Sequence, residues 1–309
     1  MSTGLDPKMA EMIEMLGGGD KLADLSPGEA RDQLACQLRE QGEGPAVEQA
    51  TVPTPDRDIP TRVYRPAGCE APLPTLVYLH GGGWVVGEID ACAGRCQMLA
   101  DQARCLVVAV NYRLAPEDRF PAGLDDVWRV VEWLGHHADH LGGDSRRLAL
   151  MGDSSGANLA AAAVLKARDA GRPAICGQVL ACPVLDFEFS SPSMAANAEG
   201  YLMELRDLRW CWGHYLARES DGANPYASPA RAKSLAGLPP TLVITAEFDP
   251  LRDQAEDFGR RLERDGVPAT VSRYAGVVHS FVEYDTLDQA AEALEETAAF
   301  LGAAWAVSV

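Results

Sequence analysis

Five short runs that are apolar almost from end to end, Thr75 to Leu79, Leu106 to Val110, Leu148 to Met151, Gln178 to Cys182 and Leu242 to Thr245, constrain this chain more than any other feature. A strand wetted on one face alternates apolar and polar residues. A run without that alternation belongs to a strand buried on both faces, as in a parallel sheet covered by helices. Helix-favouring segments fall between the runs: Asp90 to Ala103, Leu124 to His136, Leu159 to Arg168 and Arg252 to Asp265. Strands and helices in alternation, joined by right-handed crossovers, predict an α/β fold with a mostly parallel central sheet flanked by helices. Val47 to Val52 and Ile59 to Tyr64, punctuated by proline, read as edge strands, and Ala269 to Tyr274 as the last strand.

The alternation fails in two places. At the amino terminus Pro7 to Leu16 is amphipathic, Gly17-Gly18-Gly19 interrupts it, and Ser26-Pro27-Gly28-Glu29 opens a further helix over Ala30 to Arg39. The glycine run ahead of Lys21 lacks phosphate-loop spacing and follows no strand, so it reads as a turn between helices. Between Leu185 and Leu238 there is no buried strand but a polar loop, Ser190 to Gly200, and a helix, Leu205 to Leu216, carrying Trp210, Trp212 and Tyr215. The chain therefore divides into cap helices at 1–45, an α/β body at 46–185 and 239–309, and a cap insertion at 186–238. The cap aromatics either line a substrate pocket or glue the cap to the body.

Charge narrows the partners. A formal net charge of -18 leaves no basic face for nucleic acid or an anionic membrane. No run reaches the roughly 20 apolar residues of a membrane span. The amino terminus lacks the basic-then-apolar layout of a secretory signal, which points to the cytoplasm. The 8 cysteines contain no C-x-x-C pair and read as reduced thiols; Cys92 and Cys96 share a helix face without the further ligands of a zinc set.

The chemistry centres on Gly152-Asp153-Ser154-Ser155-Gly156, a G-x-S-x-G turn between the apolar run Leu148 to Met151 and an alanine-rich helix. A serine on so sharp a strand-to-helix turn needs neighbours of minimal size two residues away on either side, and Gly152 and Gly156 supply them. His80-Gly81-Gly82-Gly83-Trp84 follows another buried run, and its glycines leave amides free to converge on a developing oxyanion. Gly81, Gly83 and Gly87 miss dinucleotide spacing by one residue, which disfavours a nucleotide site.

Serine needs a base, most often histidine. His136, His137 and His140 cluster at a helix end, His214 lies in the insertion, and His80 suits a structural role in its loop. His279 stands in a loop, 275–281, beyond the last strand, where open parallel sheets place their sites. For the carboxylate that orients the base, Asp249 lies just past Leu242 to Thr245, where Asp-Pro also makes a good helix N-cap; Glu247 and Asp253 are weaker candidates and Asp186 the main rival. The order Ser154, Asp249, His279 is that of hydrolases built on such a sheet.

Taken with Trp84-Val85-Val86-Gly87, Tyr112-Arg113-Leu114-Ala115-Pro116-Glu117, Phe120-Pro121-Ala122 and Asp249-Pro250-Leu251-Arg252-Asp253, these motifs resemble the bacterial hormone-sensitive-lipase-type carboxylesterases of the α/β-hydrolase fold. The resemblance runs from about Pro74 to Phe281. It implies Ser154 as nucleophile, His279 as base, Asp249 as its partner, and an oxyanion hole from amides in Gly81, Gly82 and Gly83 plus that of Ser155. It also implies bracing roles for Glu117 and the Tyr112 to Pro116 segment, hydrolysis of short- to medium-chain esters without cofactor or metal, and a helical cap. A homodimer through an exposed sheet edge is a further implied partnership. The chain departs from the pattern at Ser155 and Ala157, at Ser280 where His-Gly-Phe is common, and at Cys92; Ser155 and Ser280 are expected to alter pocket polarity. A ligand-binding receptor that keeps the pocket but not turnover, and an amidase or other acyl hydrolase with the same motifs, remain open alternatives.

Overall fold

The computed structural model describes residues 4–41 and 48–307, with the side chains of 36–41 excepted. Readings that fall on 1–3, on 42–47, on Ser308 and Val309, or on the Cys36 side chain lie outside the described residues. Eight strands form one sheet: β1 (Glu48–Val52), β2 (Ile59–Tyr64), β3 (Leu73–Leu79), β4 (Leu106–Val110), β5 (Gly143–Asp153), β6 (Gly177–Ala181), β7 (Thr241–Phe248) and β8 (Ala269–Val278). Their order is β1-β2-β4-β3-β5-β6-β7-β8. β1 pairs with β2, and β2 with β4, antiparallel; every pairing from β4 to β8 is parallel.

Every residue of β4 and β6 is buried, as runs without alternation require. Their side chains feed separate cores on the sheet's two faces. Val77, Leu79, Val108 and Leu150 pack with helices α4 (Ala122–His137), α5 (Ser155–Ala170) and α8 (Arg252–Arg264). Leu76, Tyr78, Val107 and Met151 pack with α3 (Ala93–Ala103) and α9 (Asp288–Ala306). In α4 the buried Leu124, Val127, Val130, Val131 and Leu134 recur at helical spacing and make the stripe that lies on the sheet.

After β3 the chain crosses to β4 on one side, and after β5 it crosses to β6 on the other. Because β3 and β5 are neighbours, the loops leaving their carboxyl ends diverge and open a crevice, the usual place for a site in such sheets.

The remaining helices are α1 (Pro7–Leu16), α2 (Pro27–Gln41), α6 (Pro192–Ala196) and α7 (Leu205–Tyr215). The amino-terminal segment and the insertion contact each other directly. Asp207 accepts from the Ala23 amide, Arg206 pairs with Asp24 at 2.7 Å, and the Trp210 indole donates to the Leu25 carbonyl. Trp212 and Tyr215 are buried and reach the body, where the Tyr215 ring stacks on Trp84 at 4.1 Å. These two aromatics join the insertion to the body and do not face an open pocket.

Four details differ from the sequence expectation. β8 continues to Val278, because a register shift after Ala246 lets Phe248 pair with Val278; His279 thus follows the strand directly. The stretch 190–200 contains the short helix α6, capped by Ser191. α8 begins only at Arg252, so the Asp249 carboxylate, which accepts from the Leu251 amide at 2.7 Å, closes the turn leading into the helix and does not cap its first residue. Helix α9 had no counterpart among the expected elements, although Ala290, Ala293, Leu294, Leu301 and Trp305 are its buried face. No helix among the described residues is long and apolar enough to cross a membrane.

The glycines around Ser154 are fixed by contact. A Cβ on Gly156 would overlap the Leu79 carbonyl, and one on Gly152 would overlap the Gly156 backbone. Both neighbours are main chain and cannot rotate away. Gly156→Ala should therefore destabilise the protein by about 1–3 kcal/mol or more, read as a lower urea midpoint; an unchanged midpoint would show that this turn yields more easily than its contacts indicate.

Candidate active site

Ser154 sits between the end of β5 and the start of α5 with φ 52° and ψ -116°, a conformation that costs a non-glycine residue about 1–3 kcal/mol. The surroundings hold it there. Its amide donates to the Ala181 carbonyl at 2.8 Å, and its carbonyl accepts from Asn158 and Val184. The Asn158 side chain is fully buried and donates to the carbonyls of Val184 and Ala227, tying the helix to the loop after β6.

Three side chains from three strand ends meet at this turn. The Ser154 hydroxyl lies 2.9 Å from His279 Nε2, and His279 Nδ1 lies 2.9 Å from Asp249 Oδ2. Asp249, Ser154 and His279 are 1%, 6% and 8% exposed, so the chain of hydrogen bonds works in a medium where electrostatics are strong. Burial opposes a charged imidazole at His279, but the Asp249 carboxylate and its hydrogen bond, aided by Asp153 and Glu283, leave its pKa above the usual histidine value.

The rival carboxylates are engaged elsewhere. Asp186 is ion-paired with Arg231. Glu247 accepts from the Gly276 amide at 2.9 Å. Asp253 accepts from the Ser193 amide at 2.7 Å and pairs with Arg252. Through Ser193, whose hydroxyl donates to the Pro250 carbonyl, and Asn197, which donates to the Asp249 carbonyl, helix α6 braces the turn that carries Asp249. That brace was not legible in the sequence, where 190–200 is merely polar.

The other histidines stand apart. His137 and His140 pack with Trp133 at the end of α4, and His214 lies edge-on against Trp210. His80 is buried, stacked on Tyr112 at 4.4 Å, with Nδ1 2.7 Å from the Gly81 carbonyl. Burial pushes its pKa down to about 4, so it stays neutral and ties its loop in place.

The loop after β3 lies against the nucleophile. A Cβ on Gly81 would come within 2.7 Å of Asp153 Oδ2 and 3.5 Å of Ser154 Cβ. Gly82 and Gly83 have φ of 109° and 60°, conformations that glycine adopts readily. A side chain on Gly83 would overlap Cys211 of α7, so the insertion rests on this loop. The amides of Gly82 and Gly83 donate to no protein acceptor among the described residues. Ser155 is the first residue of α5, and a first-turn amide has no partner within its helix. The Ser155 side chain is fully buried next to Tyr112. It does not contribute to the polarity of an open pocket, contrary to expectation.

The Tyr112 to Glu117 segment stands behind this loop. The Tyr112 hydroxyl donates to the His80 carbonyl at 2.7 Å, and Arg113 is bound to the fully buried Asp126. Glu117 is exposed and pairs with Arg31 of α2 at 2.6 Å; the guanidinium holds the carboxyl down at about 2. Arg31 also donates to the carbonyls of Val85 and Ala115. Glu117 thus braces through α2.

One buried trio, Cys182, Asp249 and His279, brings potential metal-ligand atoms within 4.8 Å of one another. Asp249 and His279 are already bonded to each other through Oδ2 and Nδ1, and a cation taking those atoms would break that bond. Cys69, Cys92, Cys96, Cys105, Cys182 and Cys211 are free thiols.

A family described by the alpha/beta hydrolase fold matches residues 76–283. Esterase LipI of Mycobacterium tuberculosis is 39% identical over 234 residues, 74% of this chain and 73% of its own. An ethyl acetate hydrolase of Pseudomonas putida is 33% identical over 304 residues, 93% of this chain and 95% of its own. Among solved structures, a thermostable esterase from Pseudomonas putida superposes with a TM-score of 0.91 at 34% identity, covering 98% of this chain and 97% of that one. A hyperthermophilic esterase from Pyrobaculum calidifontis does so at 0.91 and 36% identity, covering 97% and 99%. With the sheet order, the crevice and the motif sequence in agreement, the chain belongs to the α/β-hydrolase fold family, in its bacterial hormone-sensitive-lipase-type branch of esterases.

Proposed function

We propose that this protein hydrolyses short- to medium-chain carboxylic esters through an acyl-enzyme, with Ser154 as nucleophile, His279 as general base and acid, and Asp249 as the group that fixes the imidazole. The observation that carries the reading is the unbroken run of 2.9 Å contacts from Ser154 through His279 to Asp249. The carboxylate holds the Nδ1 proton and leaves Nε2 free to accept from the hydroxyl. As Ser154 attacks the ester carbonyl, His279 takes its proton, and the resulting imidazolium is stabilised by Asp249. His279 then protonates the leaving alcohol. Water repeats the sequence and releases the acid.

Negative charge on the carbonyl oxygen is met by amides drawn from Gly81, Gly82 and Gly83, joined by that of Ser155 at the positive end of the α5 dipole. The free amides of Gly82 and Gly83 and the first-turn position of Ser155 support this assignment. We take residues 1–45 and 186–238 to act together as a cap, supported by the Asp207, Arg206 and Trp210 contacts across them. A small-molecule ester enters beneath that cap. A receptor that had lost turnover would have no need of a buried, aligned serine and base, which disfavours that alternative.

Ser154→Ala should lower hydrolysis of a short-chain aryl ester by about a thousandfold or more; retained turnover would sink the assignment. Asp249→Asn should cost about 10³- to 10⁴-fold in kcat, whereas Asp186→Asn should leave kcat within about twofold. The reverse ranking would place the acid after β6.

We also infer a homodimer through β8, one of the sheet's two edge strands, where Val271 is exposed and an open strand edge invites a second copy. Light scattering should give twice the 33.1 kDa chain mass, and Val271→Lys should return the monomer; a wild-type monomer refutes the pairing.

A further inference from the structure

Ser280 follows His279, and Asp153 precedes Ser154. The Ser280 hydroxyl donates to Asp153 Oδ2 at 2.9 Å, across 127 positions of sequence. Ser280 has φ 56° and Ser154 φ 52°, so the bond joins two turns that each hold a serine where glycine would rest more easily. Asp153 is 1% exposed, and its Oδ1 has no partner. Among the described residues, Ser280 is its sole hydrogen-bond donor. We propose that Ser280 is a positioning residue, whose hydroxyl clasps the turn bearing the base to the turn bearing the nucleophile and keeps a carboxylate charge beside His279. The proposal rests on the triad reading above.

Several charged and titratable groups face Asp153. Glu283, His279 and Tyr284 approach from the segment between β8 and α9, Arg95 from α3, Cys182 from beyond β6 and Tyr112 from beyond β4. Burial first and Glu283 second raise Asp153 to about 7, while His279, Ser280 and Arg95 pull the other way. Asp153 therefore changes charge in the range where His279 must be neutral to act.

The direction of coupling follows from these partners. The Ser280 hydroxyl favours ionised Asp153, and ionised Asp153 favours the imidazolium of His279. Without the hydroxyl, Asp153 stays neutral to higher pH. His279 then loses a stabilising charge, its pKa falls, and activity persists to lower pH.

Two variants separate the bond from the charge. Ser280→Gly removes the hydroxyl and suits the backbone; Asp153→Asn removes the charge and retains an oxygen for Ser280. Each is assayed as kcat/KM for a short-chain aryl ester across pH. Ser280→Gly should lower kcat/KM about three- to tenfold and move the acid limb down by about half a pH unit. Asp153→Asn should move the limb the same way, and Ser280→Gly added to it should move it no further. A Ser280→Gly profile that overlies the wild type overturns the proposal, as does an equal shift with and without Asp153. Retained hydrolysis in Ser154→Ala is a different result: it removes the triad and this proposal with it, whereas the profiles test the clasp alone.

Discussion

The turn at Ser154 is strained, and much of the surrounding structure exists to hold it. A positive φ on serine persists only where its neighbours leave no alternative. Here the Ala181 carbonyl takes its amide, and the amides of Asn158 and Val184 take its carbonyl. Gly152 and Gly156 let β3, β5 and α5 close to a distance that no side chain would permit. The conformation places the hydroxyl at the mouth of the crevice opened by divergent crossovers after β3 and β5. Topology sets where the crevice is, and the strained turn sets what points into it.

The loop after β3 is bound to the insertion as closely as to the sheet. Gly83 lies against Cys211, Trp84 lies under Tyr215, and Arg31 reaches the carbonyls of Val85 and Ala115 from α2. Movement of the helices above would be felt at the Gly82 and Gly83 amides, because apolar stacking and close backbone contact leave little slack between them. Likewise α6 holds the Asp249 turn through Ser193 and Asn197. The segments that lack strands therefore brace both the glycine loop after β3 and the turn that carries Asp249.

How much was legible in the sequence depended on the range of the interaction. The apolar runs from Thr75 to Thr245 announced parallel strands because burial on both faces leaves no room for alternation, and their order with G-x-S-x-G pointed to Ser154, Asp249 and His279. The geometry brings those residues together. Asp249 as a helix cap was a local inference; its carboxylate does accept from the Leu251 amide two residues on, but α8 begins only at Arg252, so the bond closes the turn ahead of the helix. The extension of β8 depended on a register shift in its neighbour. Helix α9 is rich in alanine, so its buried face is weakly marked until the sheet beneath it is known. No pattern in the sequence joins Asp153 to Ser280.

Asp249 and Asp153 are carboxylates of equal burial near one histidine, and their hydrogen bonds give them different chemistry. Asp249 uses one oxygen for the His279 ring and the other for the Leu251 amide, so both of its oxygens have a partner. Asp153 has one donor and one bare oxygen, with Glu283 nearby. Its charge is therefore easily lost. The first arrangement fixes the carboxylate between the imidazole ring and the backbone. The second suits a charge whose presence depends on pH and on a single serine hydroxyl. Burial and the neighbouring Glu283 raise the Asp153 pKa, and its single donor, Ser280, offsets them only in part.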